Sequence, residues 1–370
     1  MPQSVLITGG AGFIGSHLAA HLLAQGHTVR ALDSMVEQVH GRVERPGYLN
    51  PEVELQVGDV RDRAAVDRAL HGIDSVVHLA ARVGVGQSMY EIADYTSVNS
   101  AGTAVLLEAM LDRPVEKLLV ASSMSVYGEG RYVANGREVP AVERDPAQFE
   151  RGEWEPRGPR GEALEAVATP ERKRPSLSSV YALNKFEQER MCLLFGSSYE
   201  LPTVALRFFN VYGPYQALSN PYTGVLAIFA GRLLNDRPPL IFEDGRQRRD
   251  FVHVDDVARA CALALTADGA DGHVVNVGSG DSHTVREIAE RLARVMGKEQ
   301  IEPQIAGKYR VGDIRHCFAD VSLAREALGF EPQVELDDGL AQLAEWLEGQ
   351  VATDRVDDAA AELSARGLTR

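Results

Sequence analysis

Two residues in this chain have the types and the spacing for proton chemistry: Tyr181 and Lys185, in the stretch Ser179-Val-Tyr-Ala-Leu-Asn-Lys185. On a helix, positions four apart share one face, one turn from each other. A free phenol has a pKa of about 10 and is a poor base at neutral pH. A cation about 4 Å away, at an effective dielectric of about 20, favours the phenolate by roughly 4 kcal/mol and draws that value towards 7, where a general base works best. Taken alone, Y-x-x-x-K is more often a solvated lysine beside a half-buried tyrosine. The elements that would position the pair therefore carry the argument.

The first of them lies at the start of the chain. Ser4 to Thr8 reads as a buried strand, and Gly9-Gly10-Ala11-Gly12-Phe13-Ile14-Gly15 follows it. Ile14, Leu18 and Leu22 then recur at helical spacing up to Gly26. Glycine permits a tight turn and close approach of backbone to a pyrophosphate, while a helix N-terminus offers N–H donors and partial positive charge. A lone glycine motif is weak; one between a strand and a helix is not. The next strand, Thr28 to Asp33, ends in an acid placed to accept both ribose hydroxyls of NAD and to repel a 2′-phosphate. Without the glycine context Asp33 would read as a helix cap. Val53–Val57 runs into Gly58-Asp59-Val60, where Asp59 suits an adenine amine. Ser75–Leu79 runs into the small pair Ala80-Ala81, which suits close packing over a flat cofactor. Another strand leads into Ser122-Ser123 after the helical Gly102–Leu111. Strands alternating with helices predict an α/β protein with a Rossmann-type, doubly wound parallel sheet.

Composition narrows the class. The chain has 370 residues, 45% hydrophobic and 25% charged, with a formal net charge of −15. That charge argues against a nucleic-acid or anionic-membrane surface. Cys192, Cys261 and Cys317 are scattered and show neither a disulfide framework nor metal spacing. No apolar run approaches a membrane span. The strand-like Val5-Leu6-Ile7 follows the start directly, so a cytoplasmic protein without a leader is expected.

Further motifs occur in order: His78-Leu79-Ala80-Ala81, Asn99, Arg207-Phe-Phe-Asn-Val-Tyr-Gly-Pro214, Arg249-Asp-Phe-Val-His-Val-Asp-Asp256 and Gly312-Asp-Ile-Arg315. With the glycine loop, Ser123 and the Tyr181–Lys185 pair, they make the chain, from about residue 4 to about 347, resemble the extended short-chain dehydrogenase/reductase family, in its nucleotide-sugar epimerase/dehydratase group. The resemblance implies a catalytic set of Ser123, Tyr181 and Lys185, with Ser123 on the reacting sugar hydroxyl and Lys185 on the nicotinamide ribose. It implies NAD contacts from Gly9, Gly12, Phe13, Ile14, Gly15, Asp33, Asp59, Val60, Leu79, Ala80, Ala81 and Asn99. Substrate contacts are implied for Ser123, Met124, Asn210, Arg249, Arg310, Asp313 and Cys317. Arg249 independently offers a bidentate fork to an oxyanion, although a surface ion pair would look the same in sequence. Family members pair through the helix after Asn99 and the one carrying Tyr181, so a homodimer is expected.

The residues after Ser123 choose among the group's reactions. Dehydratases of the family carry Asp-Glu where this chain has Met124-Ser125, and decarboxylases carry a Glu at the second place. Met and Ser supply neither acid nor base for an elimination. The remaining reading is a nucleotide-sugar 4-epimerase that oxidises C4 transiently and re-reduces it on the other face. The stretches 84–92 and 216–229 resemble the branch assigned as dTDP-L-rhamnose 4-epimerases; a UDP-hexose 4-epimerase is the alternative. A 4-ketoreductase using NADP is disfavoured by Asp33, and a non-catalytic NAD sensor by the intact triad.

Domain boundaries follow from the same pattern. Residues 1–205 form the cofactor domain with an insertion at 129–178, and 206–350 form mainly a substrate lobe, with 250–278 returning to the main sheet. Residues 351–370 read as a polar helical tail, solvated at the surface. The insertion is rich in Arg, Glu, Pro and Gly, has Trp154 as its large anchor and shows no steady period, which predicts a lid or oligomer contact held by salt bridges. Relatives in the branch often carry cysteine pairs there; this chain has no cysteine before Cys192, so no metal is expected. His253, Asp255 and Asp256 are not read as ligands either: one of the two acids is expected to cap the helix that follows.

Overall fold

The structure is a computed structural model and describes residues 1–41, 44–141, 144, 146–218, 220, 224–309, 313–350, 354 and 356–369. The N-terminal half alternates as the sequence predicts: β1 (Ser4–Thr8), α1 (Phe13–Ala24), β2 (Thr28–Asp33), β3 (Glu54–Val57), α2 (Arg63–Ala69), β4 (Ser75–His78), α3 (Gly102–Asp112) and β5 (Lys117–Ser123). After the insertion come α4 (Val180–Tyr199), β6 (Thr203–Phe208), α5 (Val225–Leu234), α6 (Val254–Thr266) and β7 (Val274–Val277). Then follow α7 (Val285–Val295), α8 (Leu336–Leu347) and α9 (Val356–Ala365).

Seven strands form one sheet in the order β7-β6-β5-β4-β1-β2-β3, with every neighbouring pair parallel. Parallel strands need crossovers, and these bury both faces. On one face Leu18 and Leu22 of α1 pack with Val257 and Cys261 of α6. Val66, Leu106, Met110 and Cys192 cover the other. A fully buried aliphatic side chain contributes about 1.5–3 kcal/mol, so these two layers are the main source of stability. The strand order reverses between β1 and β4, and a crevice opens there at the carboxyl ends. No helix among the described residues is long and apolar enough to cross a membrane.

A second core holds the lobe above that crevice, built from Phe229, Leu233, Ile288, Leu292, Leu340 and Leu343. Two small sheets tie it to the crevice. Asn210–Tyr212 pairs with Phe251–His253, and Arg248–Arg249 lies between His283–Thr284 and His316–Cys317. The cap of α6 differs from expectation. His253 is the N-cap, its Nδ1 accepting from Asp255 N, while buried Asp256 accepts from the amides of Gln333 and Val334. An aspartate that must hold a distant loop is not free to cap its own helix.

The insertion is more ordered than its composition suggested. Arg131–Ala134 forms an antiparallel sheet with Arg137–Glu138 and Glu165–Val167, strands of four, two and three residues, too short to leave a period in the sequence. Its aromatic anchor is Phe149, stacked on Tyr309 at 4.0 Å, with Trp154 beside it. Salt bridges do hold it: Arg144 pairs with Glu243 at 2.8 Å and Glu155 with Arg315 at 2.5 Å. The tail also departs from the reading of a solvated helix. Ala359 and Leu363 of α9 are buried, Asp354 and Asp357 pair with Arg232, and the Arg366 guanidinium lies 4.2 Å over the Tyr90 ring.

Candidate active site

A cavity of about 810 Å³ fills the crevice and extends under the lobe. At one end the glycine loop closes against the sheet. Gly9 has φ +71°, and a Cβ on Gly15 would stand 2.5 Å from Gly9 O. Those two glycines are therefore required by the turn itself. Gly12 is different: a Cβ there would meet only Gly9 O, at 3.3 Å, and the residue lines the cavity. It is the N-cap of α1 and has no side-chain cap, so the first amides of the helix are left for an anion. Phe13, Ile14 and Gly15 continue along the same wall. This cradle, which a side chain at position 12 would fill, fits a pyrophosphate.

Asp33 lies at the tip of β2 on the cavity wall, buried, accepting from Ala11 N at 3.1 Å and Met35 N at 2.9 Å. Each oxygen holds one amide; Oδ1 also lies 3.4 Å from His40 Nε2, while Oδ2 keeps capacity for a hydroxyl. Asp59 and Val60 also line the cavity, and both Asp59 oxygens are gripped by Arg61, whose hydrogen bond holds the carboxyl below its usual range. Leu79, Ala80 and Ala81 line it too. Asn99 does not. Its buried amide accepts from Arg82 N at 2.7 Å and donates to Arg82 O at 3.0 Å, so it shapes the strand exit behind the wall.

Ser123 ends β5, and Tyr181 and Lys185 rise from one face of α4, all three on the cavity. Ser179 caps α4 through Ala182 N at 3.1 Å, and the Ser88 hydroxyl accepts from Tyr181 N at 3.0 Å, which fixes the turn carrying the phenol. The Ser123 hydroxyl is 2.8 Å from that of Ser125. The expected pull of Lys185 on the phenol is not seen. Burial holds the Tyr181 phenol above its ordinary value, against the nearby Ser123 hydroxyl, while Lys185 Nζ donates to Gln188 Oε1 at 2.8 Å. Burial also lowers the lysine, to about 8. A solvent-exposed Coulomb sum misses this, because both groups lose water at once.

At the far end, Met124 and Asn210 line the cavity, with Asn210 Nδ2 donating to Asp250 O at 2.8 Å and reaching Met124 Sδ at 3.5 Å. The Arg249 guanidinium donates to Arg248 O and Arg315 O, each at 3.0 Å, and to Ile314 O. Its carboxylate neighbour is Asp313, at 3.7 Å, also on the wall. Arg310 lies outside the described residues. Cys317 is a correction: it is 1% exposed, in a small core with Met124, Tyr127 and Phe209, and does not line the cavity. Its strand pairs with Arg248–Arg249 and turns the thiol inward. Sequence reasoning missed Ser88, Gln188 and the Glu189–Arg207 pair behind the triad. Gln188 stands three residues beyond Lys185 on the same helical face, and that spacing was the available signal.

A switch-point crevice with an uncapped helix N-terminus, an acid at the tip of β2 and a Tyr–Lys pair defines a dinucleotide-binding enzyme. The profile described as the NAD dependent epimerase/dehydratase family matches residues 5–149 and 155–278, and the chain belongs to that family, in its nucleotide-sugar epimerase group, with NAD as cofactor. It is 36% identical to a dTDP-L-rhamnose 4-epimerase of Burkholderia thailandensis, over 93% of this chain and 95% of the relative. A UDP-glucose 4-epimerase of Thermotoga maritima, solved with UDP-glucose, superposes with a TM-score of 0.76 at 31% identity, covering 93% of this chain and 98% of that one. The Thermus thermophilus UDP-glucose 4-epimerase in complex with NAD gives 0.74 at 31%, over 94% and 100%.

Proposed function

We propose that the chain is a nucleotide-sugar 4-epimerase acting on a 6-deoxyhexose, with dTDP-L-rhamnose and dTDP-6-deoxy-L-talose as the pair interconverted. The observation that carries the reaction is the wall around Tyr181: Ser123 stands beside it, and Met124 and Ser125 occupy the places where an elimination needs acids. Met124, Val83 and Val85 add apolar surface to the same cavity, which suits a sugar bearing a methyl group in place of a hydroxyl. The higher identity to the rhamnose enzyme supports the same choice. A UDP-hexose substrate is the second reading, favoured by the UDP-glucose enzymes of similar fold.

Gly12 and the amides of α1 would hold the pyrophosphate of NAD, Asp33 its adenosine ribose, and Lys185 its other ribose. When bound, NAD supplies a reversible two-electron acceptor at C4 of the sugar. The work of the chain is then on the proton. Tyr181 takes it from the C4 hydroxyl and returns it after inversion, while Ser123 hydrogen-bonds the same oxygen and fixes its lone pairs. Lys185 has three donors and gives one to Gln188, leaving two for a ribose and for the phenol. Arg249 and Asn210 would hold the diphosphate of the substrate, so that only the hexose turns in the cavity. As a homodimer the chain would bury Leu111 of α3 and Leu183 and Leu194 of α4, all exposed in the single chain.

The test is a panel of dTDP- and UDP-hexoses read by NMR for inversion at C4. Inversion of dTDP-L-rhamnose without net accumulation of NADH is the expected result. Inversion of UDP-glucose alone would move the assignment to the second reading, and loss of water from any substrate would refute the reaction itself.

A further inference from the structure

Behind the triad lies a fully buried polar chain that the proposed chemistry does not use. Lys185 Nζ donates to Gln188 Oε1 at 2.8 Å, so the amide nitrogen of Gln188 must face the other way. It donates to Thr103 Oγ1 at 2.9 Å and reaches Ala80 O at 3.4 Å. Thr103 gives its own proton to Asn99 O at 2.6 Å, which leaves its oxygen as an acceptor. His78 Nε2, 2.8 Å from that oxygen, is therefore the donor, and its Nδ1 accepts from Thr8 Oγ1 at 2.7 Å. With these roles Gln188 Nε2 and His78 Nε2, 3.3 Å apart, both donate to Thr103 and not to each other.

The chain thus runs from the ammonium to Thr8, where the glycine loop begins, to Ala80 on the cavity wall and to the carbonyl of Asn99. The groups facing Lys185 are His78 from β4 and, from its own helix, Tyr181, Glu189 and Cys192. Glu189 is taken up by the bidentate Arg207 at 2.7 and 2.8 Å and by Ser122 at 2.7 Å. Gln188 is consequently the one side chain among the described residues that binds the ammonium without carrying a charge.

We propose that Gln188 is a positioning residue: it fixes the Lys185 ammonium over the cavity and sets the proton affinity at which that lysine works. The inference rests on the role given to Lys185 above. A neutral acceptor orients the lysine without cancelling its charge, which a carboxylate at the same place would do. The buried anchor on Thr103, itself held by His78, keeps the amide from swinging away with the lysine.

The test compares Gln188→Met, which keeps the volume and removes the acceptor, with Gln188→Glu. The ζ-15N resonance of Lys185, identified by its loss in Lys185→Met, is followed against pH in the purified protein, beside the alkaline limb of kcat/KM. A hydrogen bond to a charged group is worth roughly one pH unit or somewhat more, so the midpoint should fall by about that in Gln188→Met and rise by at least as much in Gln188→Glu. The alkaline limb should move with it, and kcat should fall about tenfold in Gln188→Met with KM little changed. Midpoints unmoved in both variants, with folding intact by circular dichroism, would overturn the proposal. If Lys185→Met itself retains wild-type kcat, the role of Lys185 fails instead. If Gln188→Met does not fold, the isosteric Gln188→Glu decides alone through the sign of its shift.

Discussion

Replacing Arg315 by Met should be the most informative single change outside the cavity. Its guanidinium, 1% exposed, bridges Glu243 at 2.9 Å, Asp244 at 2.6 Å and Glu155 at 2.5 Å. Glu155 and Asp244 reach solvent and can rehydrate, so their lost pairs count for little. Glu243 cannot: it is fully buried and among the described residues would keep only Arg144, at 2.8 Å. Removing one partner of a buried pair costs about 3–5 kcal/mol, and the surviving Arg144 places this case near the low end, about 3 kcal/mol. The effect should reach the cavity, because the carbonyls of Ile314 and Arg315 hold the guanidinium of Arg249. A loosened loop there should raise KM about tenfold, worth about 1.4 kcal/mol, and leave kcat unchanged. Urea unfolding at neutral pH measures the first quantity and initial rates the second. Adding Glu243→Gln removes the stranded charge and should restore about half of the lost stability. A loss below about 1 kcal/mol, or no rescue by Glu243→Gln, would refute the account of the cluster.

Three further outcomes are expected. Burial holds His78 down to about 3, so its contribution to stability is whole above pH 6.5 and fades as pH falls towards 3. By pH 5 about 2 kcal/mol of it is lost, and urea midpoints of His78→Gln at pH 8 and pH 5 should lack this part of the wild-type slope. Gly12→Ala should unfold within about 1 kcal/mol of wild type yet bind NAD at least tenfold more weakly by titration, whereas Gly15→Ala, with its Cβ 2.5 Å from Gly9 O, should lose about 2 kcal/mol or more. Leu363→Asp should release α9, since Leu363 packs on Gly86 beside the wall residues Gly84 and Val85; early tryptic cleavage near Arg366 and a several-fold higher KM are expected, and an unchanged digest would count against it.

The parts legible in the sequence were those whose cause is local. The glycine loop, Asp33, the strand–helix alternation and the shared face of Tyr181 and Lys185 each depend on residues within a few turns of one another. What failed depended on partners far along the chain. Cys317 sits near the cavity, but whether the thiol points in or out is set by the register of its strand against Arg248–Arg249. Asn99 lies behind the wall, where its amide accepts from and donates to the backbone of Arg82, an arrangement that spacing in the sequence does not display. Leu363 and Ala359 form an i, i+4 apolar pair visible in the sequence, yet only the fold shows that Gly86 makes room for the leucine.

The insertion raises the opposite question, since it takes the chain from Tyr127 to Tyr181 by a route longer than the chemistry needs. Its contacts give it a physical task. On the way out, Glu129 accepts from the amides of Arg315 and His316, and Arg144 donates to Asp313 O at 2.8 Å. On the way back, Thr169 pairs with Ala319, while Asn276 of β7 donates its side-chain amide to Thr169 O and its backbone amide to Glu171 Oε1. The returning segment therefore lies along the outer edge of β7, one of the two edges of the sheet, and takes up Asn276 N, a donor that this edge would otherwise leave unpaired. One segment closes that edge and clamps the 313–316 loop against the turn after Ser123. Deleting 132–172 should thus take Arg144 and Glu155 out of the cluster, leave Arg315 with Glu243 and Asp244, and uncover the edge; the expected result is a protein that aggregates before it loses its affinity for NAD. A soluble deletion protein would refute the edge cover, and a wild-type KM would refute any part in holding the loop.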